Sequence, residues 1–157
     1  MSRSGFLRNP RAVWSTTWRT TLLVWIPQTA IWYVVASVYP GYTPHDIFVS
    51  PGMALMVGCV VGPYIETQLL RLVLHILRRC LGDNPRVIWY SAVFWGVMHV
   101  PSSTWGLHAV WAFYIFTRCY LAQEKYSIRR AVWVTTAVHA CCNLLSYLGT
   151  LLWRSME

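Results

Sequence analysis

The fold is decided by the stretch GMALMVGCVVGPYIETQLLRLVLHIL, residues 52–77. It is long and apolar enough to span a bilayer core, which takes about 20 residues of helix. Within it stand one carboxylate, Glu66, and one guanidinium, Arg71. Ionisable groups at membrane depth are costly, usually face the interior of a helix bundle and mark function by default. The stretch therefore predicts a membrane helix that carries part of a functional site.

Composition extends this prediction to the whole chain. Of 157 residues, 56% are hydrophobic and 11% are charged, whereas soluble domains carry about 25% charged residues. Ten Trp and nine Tyr suit a protein with two membrane–water interfaces. With no linker, repeat or low-complexity segment, residues 1–157 are predicted to form a single integral membrane domain.

Charge and cysteine content exclude two other classes. The net charge is +8, but the arginines flank apolar runs instead of forming the continuous basic patch of a nucleic-acid binder. The five cysteines include no CxxC pair, so neither a disulfide framework nor a thiolate metal site is indicated. We interpret the cysteines as small apolar packing residues.

Apolar runs between charged or Pro/Gly segments predict five membrane crossings. They span about residues 21–39, 52–77, 87–100, 107–121 and 131–153. The N-terminal tail and the second and fourth loops between these runs are rich in Lys and Arg. The first and third loops have none, and the C-terminal tail has only one. Under the positive-inside rule this alternation places the N-terminus in the cytoplasm. The predicted fold is an all-α, polytopic transmembrane bundle of about five helices.

Four polar residues share one depth in this bundle: Glu66, His99, His139 and Asn143. Counted from the basic residue nearest each on the cytoplasmic side, they lie about 18, 20, 14 and 20 Å deep at 1.5 Å per residue. His139 and Asn143 are four positions apart and share a helix face. Just before Glu66, Pro63 is predicted to kink the helix or to free a carbonyl one turn back.

This set of groups fits hydrolysis of an acyl bond. A carboxylate beside an imidazole can hold and deprotonate a water. Glu66 and His99 are therefore the candidates for water activation. A second imidazole with a carboxamide can stabilise an oxygen that gains negative charge, as expected for His139 and Asn143. A purely structural polar network remains the alternative.

Two other chemistries stay open. Ser91 or Cys142 could serve as a covalent nucleophile, although neither has an evident base nearby. Glu66, His99 and His139 could instead make a three-ligand zinc site with an open position, but the chain lacks the HExxH pair of zinc proteases.

Three motifs resemble those of a known family. ETQLLR resembles EExxxR, WGVMH resembles FxxxH, and HACCN resembles HxxxN, in that order over roughly residues 52–145. The chain thus resembles the CAAX prenyl protease and bacteriocin-processing (Abi) family of intramembrane glutamic proteases. The resemblance implies a metal-independent, cofactor-free endopeptidase. In it Glu66 and His99 would activate water, His139 and Asn143 would stabilise the oxyanion, and Arg71 would position the acidic motif.

The chain departs from this pattern at two positions, with Thr67 in place of the second Glu and Trp95 in place of the Phe of FxxxH. The expected partners are membrane lipid and a membrane-associated or lipid-modified peptide, and the expected location is the inner (plasma) membrane. A prenylated substrate is not assumed, because the chain is short. The rivals are a non-catalytic relative acting in bacteriocin immunity or partner binding, which Thr67 favours, and an ion or proton carrier.

Overall fold

The computed structural model describes residues 10–38, 51–99 and 105–155, and the predicted all-α class is confirmed there. The described helices are α1 (Pro10–Val38), α2 (residues 51–81), α3 (Arg86–His99), α4 (Trp105–Glu124) and α5 (Ile128–Arg154). Two predicted loops contain no Lys or Arg, around residues 44–51 and 101–106. Most of each loop lies outside the described residues.

Four of the helices form a ring around the core. Helix α2 contacts α3 and α5, α3 contacts α4, and α4 contacts α5, while α1 packs across α4 and α5. The core between them is apolar and includes Leu70, Leu74, Phe116, Tyr120 and Val138. The polar residues singled out above on α2, α3 and α5 therefore belong to neighbouring helices of one ring.

A glycine brings α3 close to α4. A Cβ at Gly96 would collide with the side chain of Val110, and it would stand 3.1 Å from the carbonyl oxygen of Gly106. Only a residue without a side chain permits this approach. Because Gly96 lies between Trp95 and His99 in sequence, the close packing also fixes these two side chains against α4.

Much of the outer surface of α2 is apolar, as lipid exposure requires. Large side chains such as Leu55, Met56, Ile65 and Leu72 are 40–61% exposed, and an apolar surface of this extent is unusual in water. Residues Leu55–Leu81 and Ile128–Leu152 are each long and apolar enough to cross a membrane. Helix α3 has 14 residues, fewer than a full crossing needs, so five crossings remain a prediction.

Helix α2 is not uniform along its length. It begins as Pro51–Met53, continues as a π-helical segment, Ala54–Val61, and proceeds as an α-helix, Gly62–Leu81. At the junction the Gly62 N–H bonds to the carbonyl of Val57, five residues back. Pro63 has no N–H to continue that pattern, so the carbonyl of Gly58 lacks the equivalent donor. A Cβ at Gly62 would stand 2.8 Å from the Val57 carbonyl oxygen.

Candidate active site

Glu66 and His139 meet across the interface between α2 and α5. Glu66 Oε2 lies 3.7 Å from His139 Nε2, and the two side chains are 31% and 9% exposed. A small side-chain movement would convert this separation into a hydrogen bond. The carboxylate is thus held beside an imidazole, yet it remains open on one side to water or substrate.

His99 completes the cluster from the end of α3. Its Nδ1 forms a 2.7 Å hydrogen bond with the carbonyl of Trp95. A carbonyl oxygen can only accept, so Nδ1 carries the proton and Nε2 of the neutral ring keeps its lone pair. A positive charge on His99 would act on both Glu66 and His139. Three helices therefore bring one carboxylate and two imidazoles together.

Helix α4 supplies an aromatic wall to this cluster. The ring of Phe113 lies 5.8 Å from that of His99 and 5.7 Å from that of His139, while Phe116 lies 4.5 Å from His139. Trp95 stacks on Phe113, with ring centroids 4.2 Å apart and an angle of 7° between the ring planes. The wall fixes both imidazoles in an apolar setting. Sequence reasoning missed Phe113 and Phe116, because aromatic residues of an apolar helix look alike whether they face lipid, core or site.

Asn143 is tied to α2 through the π-helical segment. Its Nδ2 donates a 2.7 Å hydrogen bond to the carbonyl of Gly58, the same carbonyl that Pro63 leaves without a backbone donor. A carboxamide nitrogen has two hydrogens, so the second remains for another acceptor. The sequence predicted a freed carbonyl near Pro63, but it did not identify Asn143 as the group that binds it.

The structure places Thr67 and Arg71 away from the carboxylate of Glu66. Thr67 is buried, and its hydroxyl donates to the Pro63 carbonyl at 2.7 Å. Arg71 follows Glu66 by five positions, which turns it about 140° around the helix. No ion pair joins Arg71 to Glu66 in the described part of the chain. The structure therefore shows no direct contact through which Arg71 would position Glu66.

The candidate nucleophiles of the covalent alternative are engaged elsewhere. The Ser91 hydroxyl shares a 3.1 Å hydrogen bond with Thr117, and the Cys142 thiol contacts the carbonyl of Thr21 at 3.7 Å. For the zinc alternative, residues 10–38, 51–99 and 105–155 contain no group of three His, Cys, Asp or Glu side chains arranged to hold a metal ion.

Two apolar helices of membrane length beside an ionisable cluster are typical of a helical membrane protein. A family model described as type II CAAX prenyl endopeptidase Rce1-like matches residues 48–145. The chain belongs to this family, whose description implies a protease, and the resemblance drawn from the three motifs is confirmed. The matched segment contains every predicted site residue. No curated protein and no solved structure matches the chain.

Proposed function

We propose that the protein is an intramembrane endopeptidase in which Glu66 activates a water molecule to hydrolyse a peptide bond. The observation that carries this proposal is the 3.7 Å approach of Glu66 Oε2 to His139 Nε2, and His99 is near enough to act electrostatically on both groups. A lone structural ion pair would not require a second imidazole from a third helix. A water-activating site makes use of all three groups.

The chemistry follows from these positions. Water lies between Glu66 and the lone pair of His99 Nε2, and its oxygen attacks the carbonyl carbon of the substrate as Glu66 takes the proton. His139 and the second Nδ2 hydrogen of Asn143 donate to the resulting oxyanion. When the C–N bond breaks, Glu66 returns the proton to the leaving amine. Trp95 serves as a wall of the cavity through its stacking on Phe113.

The family description and the exposure of Glu66 support the proposed substrate class. The family description names prenyl endopeptidases, and the side chain of Glu66 is 31% exposed, so a membrane-associated or lipid-modified peptide can approach it from outside the ring. The chain crosses the inner (plasma) membrane with about five helices and a cytoplasmic N-terminus. The basic loop after α2 then lies at the cytoplasmic face.

A cleavage assay tests the proposal. Purified protein in proteoliposomes is given a farnesylated CAAX peptide or the same peptide without the lipid, with and without a chelator. Wild type is compared with Glu66→Gln and His99→Ala. Cleavage is expected to survive chelation and to disappear in both variants. Activity that the chelator removes would favour the zinc alternative, and cleavage by Glu66→Gln would exclude the proposed mechanism.

A non-catalytic relative is the second candidate, and Thr67 favours it. The family pattern has a carboxylate at this position, whereas the Thr67 hydroxyl is buried and bonded to the Pro63 carbonyl. It therefore adds neither charge nor a titratable group to the site. Binding of the peptides without cleavage would support this function over proteolysis.

A further inference from the structure

A groove lies between α2 and α5 on the side of α2 that faces away from Glu66. Its volume is about 390 Å³. Its lining residues include Tyr64, Gln68, Arg71, Arg129, Val132 and Trp133. Tyr64, Arg71, Arg129 and Trp133 are all exposed, so the groove opens outward instead of toward the protease site.

The groove has a cationic end and an aromatic end. On α2, Arg71 follows Tyr64 by about two turns, and on α5, Trp133 follows Arg129 by about one turn. Because the two helices run in opposite directions, both guanidiniums lie nearer the predicted cytoplasmic face. The rings of Tyr64 and Trp133 lie 6.0 Å apart at the deeper end.

Arg71 needs an anion that the described chain does not provide. It lies about 10 Å deeper than Arg78, at 1.5 Å per residue, where an uncompensated charge is costly. No carboxylate of the described residues lies within ion-pair distance of it. A long arginine side chain keeps its stem in the apolar layer while its guanidinium reaches toward the interface, where a lipid anion can pair with it.

We propose that this groove is a binding site for an anionic phospholipid. Its phosphate lies between Arg71 and Arg129, with Gln68 as a further donor, and an acyl chain runs along Tyr64 and Trp133. Basic pockets between membrane helices on the cytoplasmic side recognise such headgroups. The aromatic end favours a lipid over a free phosphate ion, which would use only the cationic end. The site is independent of the proposed protease function.

Quenching of Trp133 fluorescence tests the proposal, taken as the difference between the full chain and its Trp133→Phe variant, because the chain has ten Trp residues. The full chain in detergent is titrated with brominated phosphatidylglycerol or with brominated phosphatidylcholine at equal mole fraction. Two basic residues at about 1 kcal/mol each predict that phosphatidylglycerol binds about 30-fold more tightly than phosphatidylcholine. When Arg71→Gln and Arg129→Gln are combined, the preference for phosphatidylglycerol over phosphatidylcholine should be lost.

The matched control removes the same charge elsewhere. Arg79→Gln combined with Arg86→Gln changes two exposed arginines outside the groove and should keep the preference. The pair Arg71→Lys and Arg129→Lys keeps the charge and should retain most of it. An unchanged preference in the Gln pair of the groove, or an equal loss in the control pair, would overturn the proposal. Displacement of the lipid by millimolar inorganic phosphate would instead assign a soluble-anion site.

Discussion

On the side of α2 that faces α3 and α5, Glu66 lies beside two imidazoles in an aromatic setting. On the outer side, Arg71 lines an open groove with a second arginine. Five positions of one helix separate the two residues. Each side is completed by other elements: His99 and His139 come from α3 and α5, and Arg129 comes from the first turn of α5.

The comparison shows that one short motif can serve two surfaces. In sequence, Glu66 and Arg71 look like a charge pair that neutralises itself within the membrane. In the helix they point about 140° apart, and each finds a different environment. The carboxylate belongs to the proposed water-activating site, and the guanidinium belongs to the proposed lipid site.

The largest effects are expected from substitutions of the two imidazoles beside Glu66. His99→Ala should lower kcat/KM for peptide cleavage by about 10²–10⁴-fold, the usual contribution of a positioned acid or base. His139→Ala should lower it by about 10²–10³-fold, as loss of an oxyanion donor does. His75→Ala, an exposed change on α2, is the control and should cleave like wild type. If His139→Ala behaved like the control, the cluster would not be catalytic.

Asn143 tests how α2 and α5 cooperate on that same side. Asn143→Ala should lower kcat by about 10²–10³-fold, as loss of one oxyanion donor does, with little change in KM. Pro63→Ala returns an N–H that competes for the Gly58 carbonyl and should lower kcat less. A rise in KM with kcat unchanged for Asn143→Ala would indicate substrate binding in place of oxyanion stabilisation.

The π-helical junction is tested by stability. Gly62→Ala places a Cβ 2.8 Å from the Val57 carbonyl oxygen and should lower the free energy of unfolding by about 1–3 kcal/mol. Gly149→Ala meets nothing within 4 Å and should raise it by about 0.5–1 kcal/mol. Denaturation in mixed micelles measures both, and a neutral Gly62→Ala would show that the junction tolerates a side chain.

The smallest expected effect concerns the groove side. A double-mutant cycle of Tyr64→Leu and Trp133→Leu should give a coupling energy of about 0.5–1.5 kcal/mol, because the two rings contact each other across α2 and α5. Trp89 contacts Tyr114 instead, so a cycle of Tyr64→Leu with Trp89→Leu should give none. Absence of coupling in the first cycle would mean that the rings of Tyr64 and Trp133 do not contact each other in the protein.

Much of this architecture could be predicted from the sequence. The boundaries of α2 to α5 follow within a few residues from apolar runs and their punctuation, whereas α1 begins at Pro10, about eleven residues before its apolar run. The similar depth expected for Glu66, His99 and His139 follows from the fixed rise of a helix. The freed carbonyl follows from Pro63, because a proline has no N–H.

The rest depends on how the helices pack. The sequence paired Glu66 with His99, and the structure adds an approach of His139 Nε2 to within 3.7 Å of Glu66 Oε2. Which side chain crosses from α5 to the Gly58 carbonyl depends on the rotation of α5 against α2. The Phe113 wall could not be recognised either, since its helix is apolar on several faces.

The central claim is tested most directly by rotational-echo NMR in lipid bilayers, with ¹³C-labelled glutamate carboxyls and ¹⁵N-labelled histidine rings. Glu66 should show dephasing by an imidazole nitrogen, and that signal should vanish in both Glu66→Gln and His139→Gln. With ¹⁵N-labelled arginine, the dephasing should come from the Arg78–Glu124 pair, 2.6 Å apart, and should be unaffected by Glu66→Gln. Absence of the imidazole signal, or an arginine signal that Glu66→Gln removes, would contradict the account.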